Sequence, residues 1–235
     1  MKKILFSILS CLSLHAVDAQ ELQGAWESTQ TNDQGEEVHH VTIIAGDFIA
    51  EAFYEKATGK FVGTKGGSYK VEGDNFTYSF EFSSLEPELV GTQKSVPYKF
   101  DDGKLHLGDM VWTKIDDGTP GDLFGAWLFS GRKRDGEIVM RETSGPRKTM
   151  KMLSGTRFQW IAYNTETKEF MGTGGGTYTT LDGKYTENIG FFSRDDSRVG
   201  ANLQFDYELK DGNWHHSGLS SKGQPIYEVW GKRKK

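Results

Sequence analysis

Apolar and polar residues alternate along most of the chain, in short segments that are separated by turn residues. Alternation with a period of two predicts β-strands that bury one face. Asp-Gly pairs begin at 135, 182 and 211, between such segments, and favour hairpin turns. No window of roughly ten residues shows helical periodicity. The pattern therefore predicts an all-β protein made of consecutive antiparallel hairpins.

The chain also contains an internal repeat, most of which has an offset of 109 residues. The matching segments are LQGAW (22–26) with LFGAW (123–127), FVGTKGGSY (61–69) with FMGTGGGTY (170–178), YKFDDGKLH (98–106) with YELKDGNWH (207–215), and the two Val-Trp pairs at 111–112 and 229–230. A repeat of this length predicts two domains. We expect domain one at 20–115, a linker at 116–121 and domain two at 122–235.

The second copy divides into short strand candidates with no helix between them. They lie near 125–131, 137–143, 148–154, 157–163, 170–180, 184–192, 199–209, 213–218 and 225–231. Closing such a meander into a barrel removes its exposed edges. The predicted fold is two tandem small antiparallel up-and-down β-barrels. High aromatic content (13%), 29 glycines and only 5 prolines agree with β structure.

Glycines in FMGTGGGTY could suggest a phosphate-binding loop. A dinucleotide loop would need glycine at position 177, which is Thr177, and no Gly-Lys-Ser or Gly-Lys-Thr sequence follows. Glycine within a strand marks a sharp bend or a place where a large facing side chain needs room. We therefore interpret the segment as a kinked barrel strand.

A Gly-x-Trp sequence opens each copy, at 24–26 and 125–127, and a basic residue follows late in each, Lys114 in the first and Lys232 or Arg233 in the second. This arrangement resembles the lipocalin and fatty-acid-binding superfamily. The resemblance implies that the tryptophan closes one barrel end and stacks under the basic side chain.

The second copy, over nearly all of 123–233, looks like the lipocalin-like domains of unknown function in secreted proteins of Gram-negative bacteria, and the first copy follows them more loosely. That resemblance implies the fold but no activity, because members of the group generally have none assigned. The copies are also shorter than larger lipocalins.

The N-terminus has the features of a secretory signal peptide. Lys2 and Lys3 precede the apolar run ILFSILSCLSLHAV, and VDA precedes Gln20. We predict cleavage after Ala19 and a periplasmic or extracellular protein. Cys11, the single cysteine, lies within this segment, either as part of the signal or as a lipidation site. Without it no disulfide can form, which suits a periplasmic or exported protein with self-sufficient cores.

Candidate chemistry follows from the two copies, because strand side chains alternate between faces and the apolar positions of one copy show the inward positions of the other. Three ionisable residues of copy two fall at such positions: Glu187 (Tyr78 in copy one), His216 (Leu107) and Glu228 (Met110). Charged groups inside a barrel must be paired or neutralised. We expect the three to meet in the second lumen.

The functional interpretation of this cluster is a ligand site, with Arg147 or Lys148 at the mouth and an apolar wall of Trp160, Tyr185 and Trp214. The alternative is an internal hydrogen-bond network that only specifies the barrel. A metal site is disfavoured because no two of the ionisable groups have short ligand spacing. We predict no metal and no cofactor. The pair His39 and His40 follows a charged turn, and we expect it to face solvent.

The most consistent function is non-enzymatic binding of a small amphipathic or apolar molecule in the second barrel. One alternative is a protein-interaction module with filled barrels. Another is a small hydrolase or isomerase that uses Glu187 and His216 as acid and base. A net charge of −5 gives no reason to expect nucleic acid or an anionic membrane as a partner. No later segment has the roughly 18 apolar residues of a membrane span.

Overall fold

The computed structural model describes residues 19–220 and 223–234, so most of the predicted signal peptide, with Cys11, lies outside the described residues. The strands are β1 (Gly24–Thr31), β2 (Glu37–Ala45), β3 (Phe48–Glu55), β4 (Phe61–Glu72), β5 (Asn75–Ser83), β6 (Gln93–Asp101), β7 (Lys104–Leu107), β8 (Met110–Asp116), β9 (Gly125–Arg134), β10 (Glu137–Met140), β11 (Arg147–Leu153), β12 (Arg157–Asn164), β13 (Phe170–Leu181), β14 (Lys184–Phe192), β15 (Asn202–Lys210), β16 (Asn213–Leu219) and β17 (Pro225–Lys232). The helices are α1 (Ala19–Leu22) and the 3₁₀ helices Pro87–Leu89 and Asp196–Arg198. Within the described ranges, none of these helices has the length and apolar character that a membrane span requires.

Two closed eight-stranded antiparallel barrels follow one another along the chain, as predicted. In barrel one, β1 to β8 pair in sequence order and β8 returns to β1. In barrel two, β9 and β11 to β17 form the wall, and β17 returns to β9. Closure leaves no free edge on either wall, which is the usual way for a small β domain to avoid edge-to-edge aggregation.

Strand β10 departs from the simple meander that the pattern predicts for copy two. It pairs with the C-terminal part of β9, where Met140 lies opposite Gly131. Strand β11 pairs with the N-terminal part of β9, where Met150 lies opposite Leu128. Between β10 and β11 the connection 141–146 ends at Pro146, which has no backbone N–H for a ladder. The chain therefore leaves the wall as a hairpin before it re-enters as β11.

Each barrel contains the tryptophan contact that the resemblance implies. The indole N–H of Trp26 donates to the carbonyl of Leu22 (2.9 Å), and that of Trp127 donates to Leu123 (2.8 Å). Lys114 Nζ lies 4.8 Å from the Trp26 ring centroid, and Lys232 Nζ lies 4.6 Å from that of Trp127. These cation-π contacts join the first and last strands of each barrel.

The glycine-rich segment forms part of a strand, as expected. β13 has a register shift between Gly175 and Gly176, where it pairs with β14. Gly176 has a φ of +155°, and a Cβ there would lie 2.0 Å from the carbonyl oxygen of Asn188. The equivalent Gly67 of β4 has a φ of +156°, with the carbonyl oxygen of Ser79 at 2.1 Å. Glycine therefore allows the same bend and close approach in both barrels.

The outer faces of the two barrels pack together with approximate two-fold symmetry. Stacked or tilted ring pairs cross the interface: Phe61 with Phe170, Tyr54 with Phe191, and Phe82 with Tyr163. Phe61 and Phe170 are equivalent residues of the two copies, and the other two pairs exchange under the 109-residue offset. Reciprocal pairing of this kind is the signature of an isologous interface, in which the same surface of each unit meets the other.

Polar side chains form a further contact between the two barrels, and this contact has no counterpart under the approximate two-fold symmetry. The guanidinium of Arg233 makes two hydrogen bonds to the carboxylate of Glu81 (2.7 and 2.8 Å) and lies over the ring of Phe48. The Tyr163 hydroxyl donates to the same carboxylate at 2.7 Å. Because Arg233 is largely buried, this contact fixes the C-terminal strand of barrel two against barrel one.

Candidate functional site

The mouth of barrel two opens into a cavity of about 260 Å³. Its lining consists of Thr149, Lys151, Trp160, Glu187, Ile189, Phe192, Leu203, Phe205, Ser220, Ile226, Glu228 and Trp230. Most of these side chains are apolar or aromatic, and the charged ones are Lys151, Glu187 and Glu228. Concave, mostly apolar cavities with a few convergent polar groups are the usual form of a small-molecule site.

A buried ion pair forms part of the lining of this cavity. Lys151 Nζ donates to Glu187 Oε1 at 2.8 Å, and each side chain is only 6% exposed. The ammonium is also 4.9 Å from the centroid of Trp214 and 5.2 Å from that of Trp230. Aromatic faces and the carboxylate together replace the water that this cation has lost.

Tyr185 is the second hydrogen-bond partner of Glu187. Its hydroxyl donates to Glu187 Oε1 at 2.9 Å. Burial raises the pKa of Tyr185 well above its ordinary value, and the negative charge of Glu187 raises that pKa further. The hydroxyl therefore stays protonated and acts as a donor to the carboxylate.

A second polar pair joins His216 of β16 to Glu228 of β17, which lie directly opposite each other in the ladder. Nδ1 of His216 is 3.3 Å from Oε2 of Glu228, and the indole N–H of Trp230 donates to the same oxygen at 3.1 Å. Burial lowers the pKa of His216, and the charge of Lys151 lowers that pKa further, more than Glu228 raises it. The imidazole is therefore neutral near pH 7.

Glu228 remains ionised beside this histidine. Burial alone raises the pKa of its carboxyl, but the hydrogen bond to His216 and the charge of Lys151 bring the pKa below its ordinary value. A carboxylate can only accept, so we assign the imidazole hydrogen to Nδ1 of His216. Nε2 is then a bare acceptor, and it is buried with no partner among the described residues, as is the indole N–H of Trp214.

The structure brings most of the predicted site residues together. Glu187, Glu228 and Trp160 line the cavity. His216, Tyr185 and Trp214 lie beneath it, in contact with one another through their rings. Arg147 is exposed at the start of β11 and does not line the cavity. The Lys148 ammonium donates instead to the carbonyl oxygens of Thr143 and Gly145 in the preceding loop.

Sequence reasoning missed Lys151, the partner of Glu187. Under the 109-residue offset, the residue of barrel one that is equivalent to Lys151 is Thr42, which is 2% exposed. The repeat offset changes from 101 to 109 between Trp26 and Phe61, so the sequence does not show which residue of copy one corresponds to the lysine. The ion pair then accounts for the carboxylate that the sequence placed inside the barrel without a partner.

The contacts also bear on enzymatic and metal-binding alternatives. His216 is bonded to Glu228, whereas Glu187 is bonded to Lys151 and Tyr185. The acid-base pair of Glu187 with His216 that the enzyme alternative requires is therefore not formed between these described residues. In the described part of the chain, no group of three His, Cys, Asp or Glu side chains is placed to hold a metal ion.

The histidines of β2 correct one expectation, since neither faces solvent freely. His39 Nε2 lies 3.1 Å from Glu27, and His40 Nδ1 lies 3.2 Å from Glu51. The side chain of His40 is 12% exposed and that of Glu51 is 6% exposed. A charged turn before β2 suggested a solvent-facing strand end, but the hairpin register carries His40 against β3, next to Phe53.

Comparison with known proteins gives no family for this chain. It matches no protein-family model, and no curated protein sequence matches it. The geometry of the two barrels is therefore the basis on which a function is assigned.

Proposed function

We propose that barrel two binds a small amphipathic molecule at its mouth. The observation that carries the proposal is a cavity whose lining is mostly apolar and aromatic but includes the charged groups of Lys151, Glu187 and Glu228. An apolar body would contact Ile189, Leu203 and the surrounding aromatic side chains, while a polar head would reach the charged groups. The protein would act as a carrier or sensor without catalysis.

The wider setting of this proposal is a lipocalin-like protein outside the cytoplasm. Support for the lipocalin-like assignment comes from the closed barrels and from the lysine that lies over the first-strand tryptophan in each copy. Support for export comes from the apolar N-terminal sequence that follows Lys2 and Lys3. In that setting the ligand would be met in the periplasm or outside the cell.

Native mass spectrometry of the full-length gene product, purified gently from the cells that make it, tests the binding proposal. Leu203→Trp should block the mouth, because Leu203 lines the cavity and a larger side chain there would fill part of its volume. Leu203 lies opposite Glu187 in the β14–β15 ladder, so an unchanged melting temperature of the variant serves to show that the buried ion pair is intact. Leu209→Trp is the matched control: it makes the same change on the same strand, at an exposed position outside the cavity.

We expect a small molecule to be retained by the unaltered protein and by Leu209→Trp, and to be lost from Leu203→Trp. Equal retention by both variants would place the bound molecule elsewhere. Protein free of any added mass in all three samples would contradict the proposal.

A second candidate function is suggested by β10. Its consecutive residues Ile138, Val139 and Met140 are 45%, 49% and 54% exposed. Exposed apolar side chains on a strand that pairs on one side only are typical of a protein-interaction surface. Charged substitutions at Ile138 and Met140 that abolish association with a partner, while leaving the mass of any bound small molecule unchanged, would favour this function over the first.

A further inference from the structure

Barrel one contains its own cavity, of about 420 Å³, larger than the cavity of barrel two. Its apolar lining comes from the side chains of Phe80, Leu89, Val96, Pro97, Leu107 and Met110. Its polar lining includes the charged residues Glu86, Lys94 and Asp109 as well as Glu51, Lys65 and Tyr78. None of the last three positions carries the same residue in barrel two, where Trp160, Gly174 and Glu187 are the equivalents.

The side chain of Glu51 is buried, but its carboxylate is not in hydrogen-bond contact with its ion-pair partner, Lys65. Oε1 is 3.2 Å from His40 Nδ1, whereas Oε2 is 3.7 Å from Lys65 Nζ, beyond hydrogen-bond distance. The side chain of Lys65 is 33% exposed, and its ammonium also lies 5.5 Å from the ring centroid of Phe53. Opposite charges therefore face the cavity with room for a polar group beside both.

Two donors at the same cavity have no acceptor. The Tyr78 hydroxyl makes no hydrogen bond with any residue that the structure describes, although Tyr78 lines the cavity. Burial and the nearby charge of Glu51 raise the pKa of Tyr78, so its hydroxyl stays protonated. The indole N–H of Trp112, also in the lining, is buried and unpartnered within the described chain. Buried polar groups normally have partners, so the Trp112 N–H points to a ligand acceptor, and the hydroxyl of the partly exposed Tyr78 is a second donor at the same cavity.

We propose that barrel one is a second, separate binding site, for a small uncharged molecule with an amide head on an apolar body. The amide N–H would donate to Glu51, and its carbonyl oxygen would accept from Tyr78. An anionic head would be repelled by Glu51, and a cationic head by Lys65, whereas a dipolar head satisfies both sides. This site is independent of the one in barrel two and does not rest on the function proposed for it.

Isothermal titration calorimetry of the full chain carrying Leu203→Trp, which closes the other barrel, provides the test. Three probes share the same apolar chain and differ in the charge of the head: octanamide, octanoate and octylammonium. We expect octanamide to bind with the highest affinity. Tyr78→Phe should weaken octanamide about fivefold, the effect of one hydrogen bond. Tyr98→Phe is the matched control, a tyrosine of the same barrel outside the cavity lining.

Loss of the Tyr78 hydroxyl should leave the melting temperature unchanged, since that hydroxyl has no partner to lose among the described residues. A weaker affinity is then a binding effect. No binding of octanamide, tighter binding of octanoate or octylammonium, or equal affinities of Tyr78→Phe and Tyr98→Phe would each overturn the proposal. Because barrel two is blocked throughout, these outcomes leave the proposal for its own ligand unaffected.

Discussion

The two barrels have the same wall and differently charged interiors. In barrel two, Lys151 and Glu187 are both 6% exposed and 2.8 Å apart. The equivalent positions of barrel one hold Thr42 and Tyr78, and its ion pair, Glu51 with Lys65, lies elsewhere, longer at 3.7 Å and with a partly exposed lysine. One strand register therefore accommodates different placements of charge. What the barrels share maintains the fold, and what differs is the chemistry of the two interiors.

The largest difference in stability between the two barrels should appear when the lysine of each ion pair is replaced. Lys151→Met leaves the Glu187 carboxylate buried with only the Tyr185 hydroxyl as a side-chain donor among the described residues. We expect the free energy of unfolding to fall by about 3–5 kcal/mol. Lys65→Met should lower it by about 1 kcal/mol or less, because that ammonium is partly solvated and distant. Urea denaturation followed by tryptophan fluorescence measures both.

A double variant separates the charge effect from packing. Lys151→Met combined with Glu187→Leu removes both charges at once, and replacement of a buried pair by apolar residues is often neutral or stabilising. The double variant should therefore regain most of the stability that the single variant loses. Similar losses of unfolding free energy for Lys151→Met and Lys65→Met, or no recovery in the double variant, would show that the two ion pairs contribute to stability in the same way.

Glycine substitutions should show where the barrels are alike. Gly176→Ala and Gly67→Ala each place a Cβ about 2 Å from a carbonyl oxygen of the neighbouring strand, at a positive φ. Each should lower the free energy of unfolding by about 1–3 kcal/mol. Gly183→Ala is the control, because that turn glycine has a positive φ but no atom within 4 Å of the added Cβ. A smaller loss in the control, measured by thermal unfolding, isolates the close approach.

Mild acid should affect barrel two through His216. Its folded-state pKa is lowered, so below the ordinary histidine pKa of about 6.5 the unfolded chain binds a proton that the folded chain does not. Stability therefore decreases as the pH falls from 7.5 to 5, by at most about 1.4 kcal/mol per pH unit for this one group. His216→Leu, which introduces the residue of barrel one, should flatten the dependence of melting temperature on pH in this range.

Glu228 contributes to the pH dependence of stability at a lower pH than His216 does. Its folded-state pKa is also lowered, so its stabilising effect is present above the unfolded value of about 4.3 and is lost as the pH falls below that value. The variant Glu228→Gln should therefore alter the acid limb below pH 4.5 more than the region from 7.5 to 5. An unchanged slope between pH 7.5 and 5 in His216→Leu would contradict the assignment of a neutral histidine.

The smallest effect is expected at Thr42, the counterpart of Lys151. Its hydroxyl is buried and has no hydrogen-bond partner among the described residues. Thr42→Val removes that polar group and keeps the shape, so the free energy of unfolding should rise by about 0.5–1 kcal/mol. A fall in stability, measured by urea denaturation, would show that the hydroxyl has an unrecognised partner.

Sequence alone predicted the barrels because alternation, turns and the repeat all indicate the same fold. It also placed Glu187 and His216 inward, since their counterparts Tyr78 and Leu107 are apolar or aromatic. It did not find Lys151, because the repeat offset changes from 101 to 109 across the inserted β10 hairpin. The pairing of charged groups depends on the register of neighbouring strands and on rotamers, which periodicity does not determine.

The approximate two-fold axis between the barrels has an evolutionary consequence. A surface that pairs reciprocally with its own copy is what a homodimer of single barrels would require, so a gene duplication that joined two such subunits would need no new interface. Once the subunits are covalently linked, the two lumens can diverge while the shared outer surface is retained. The result is in effect a heterodimer in one chain, in which the side chains that line one lumen can change without a compensating change in the other.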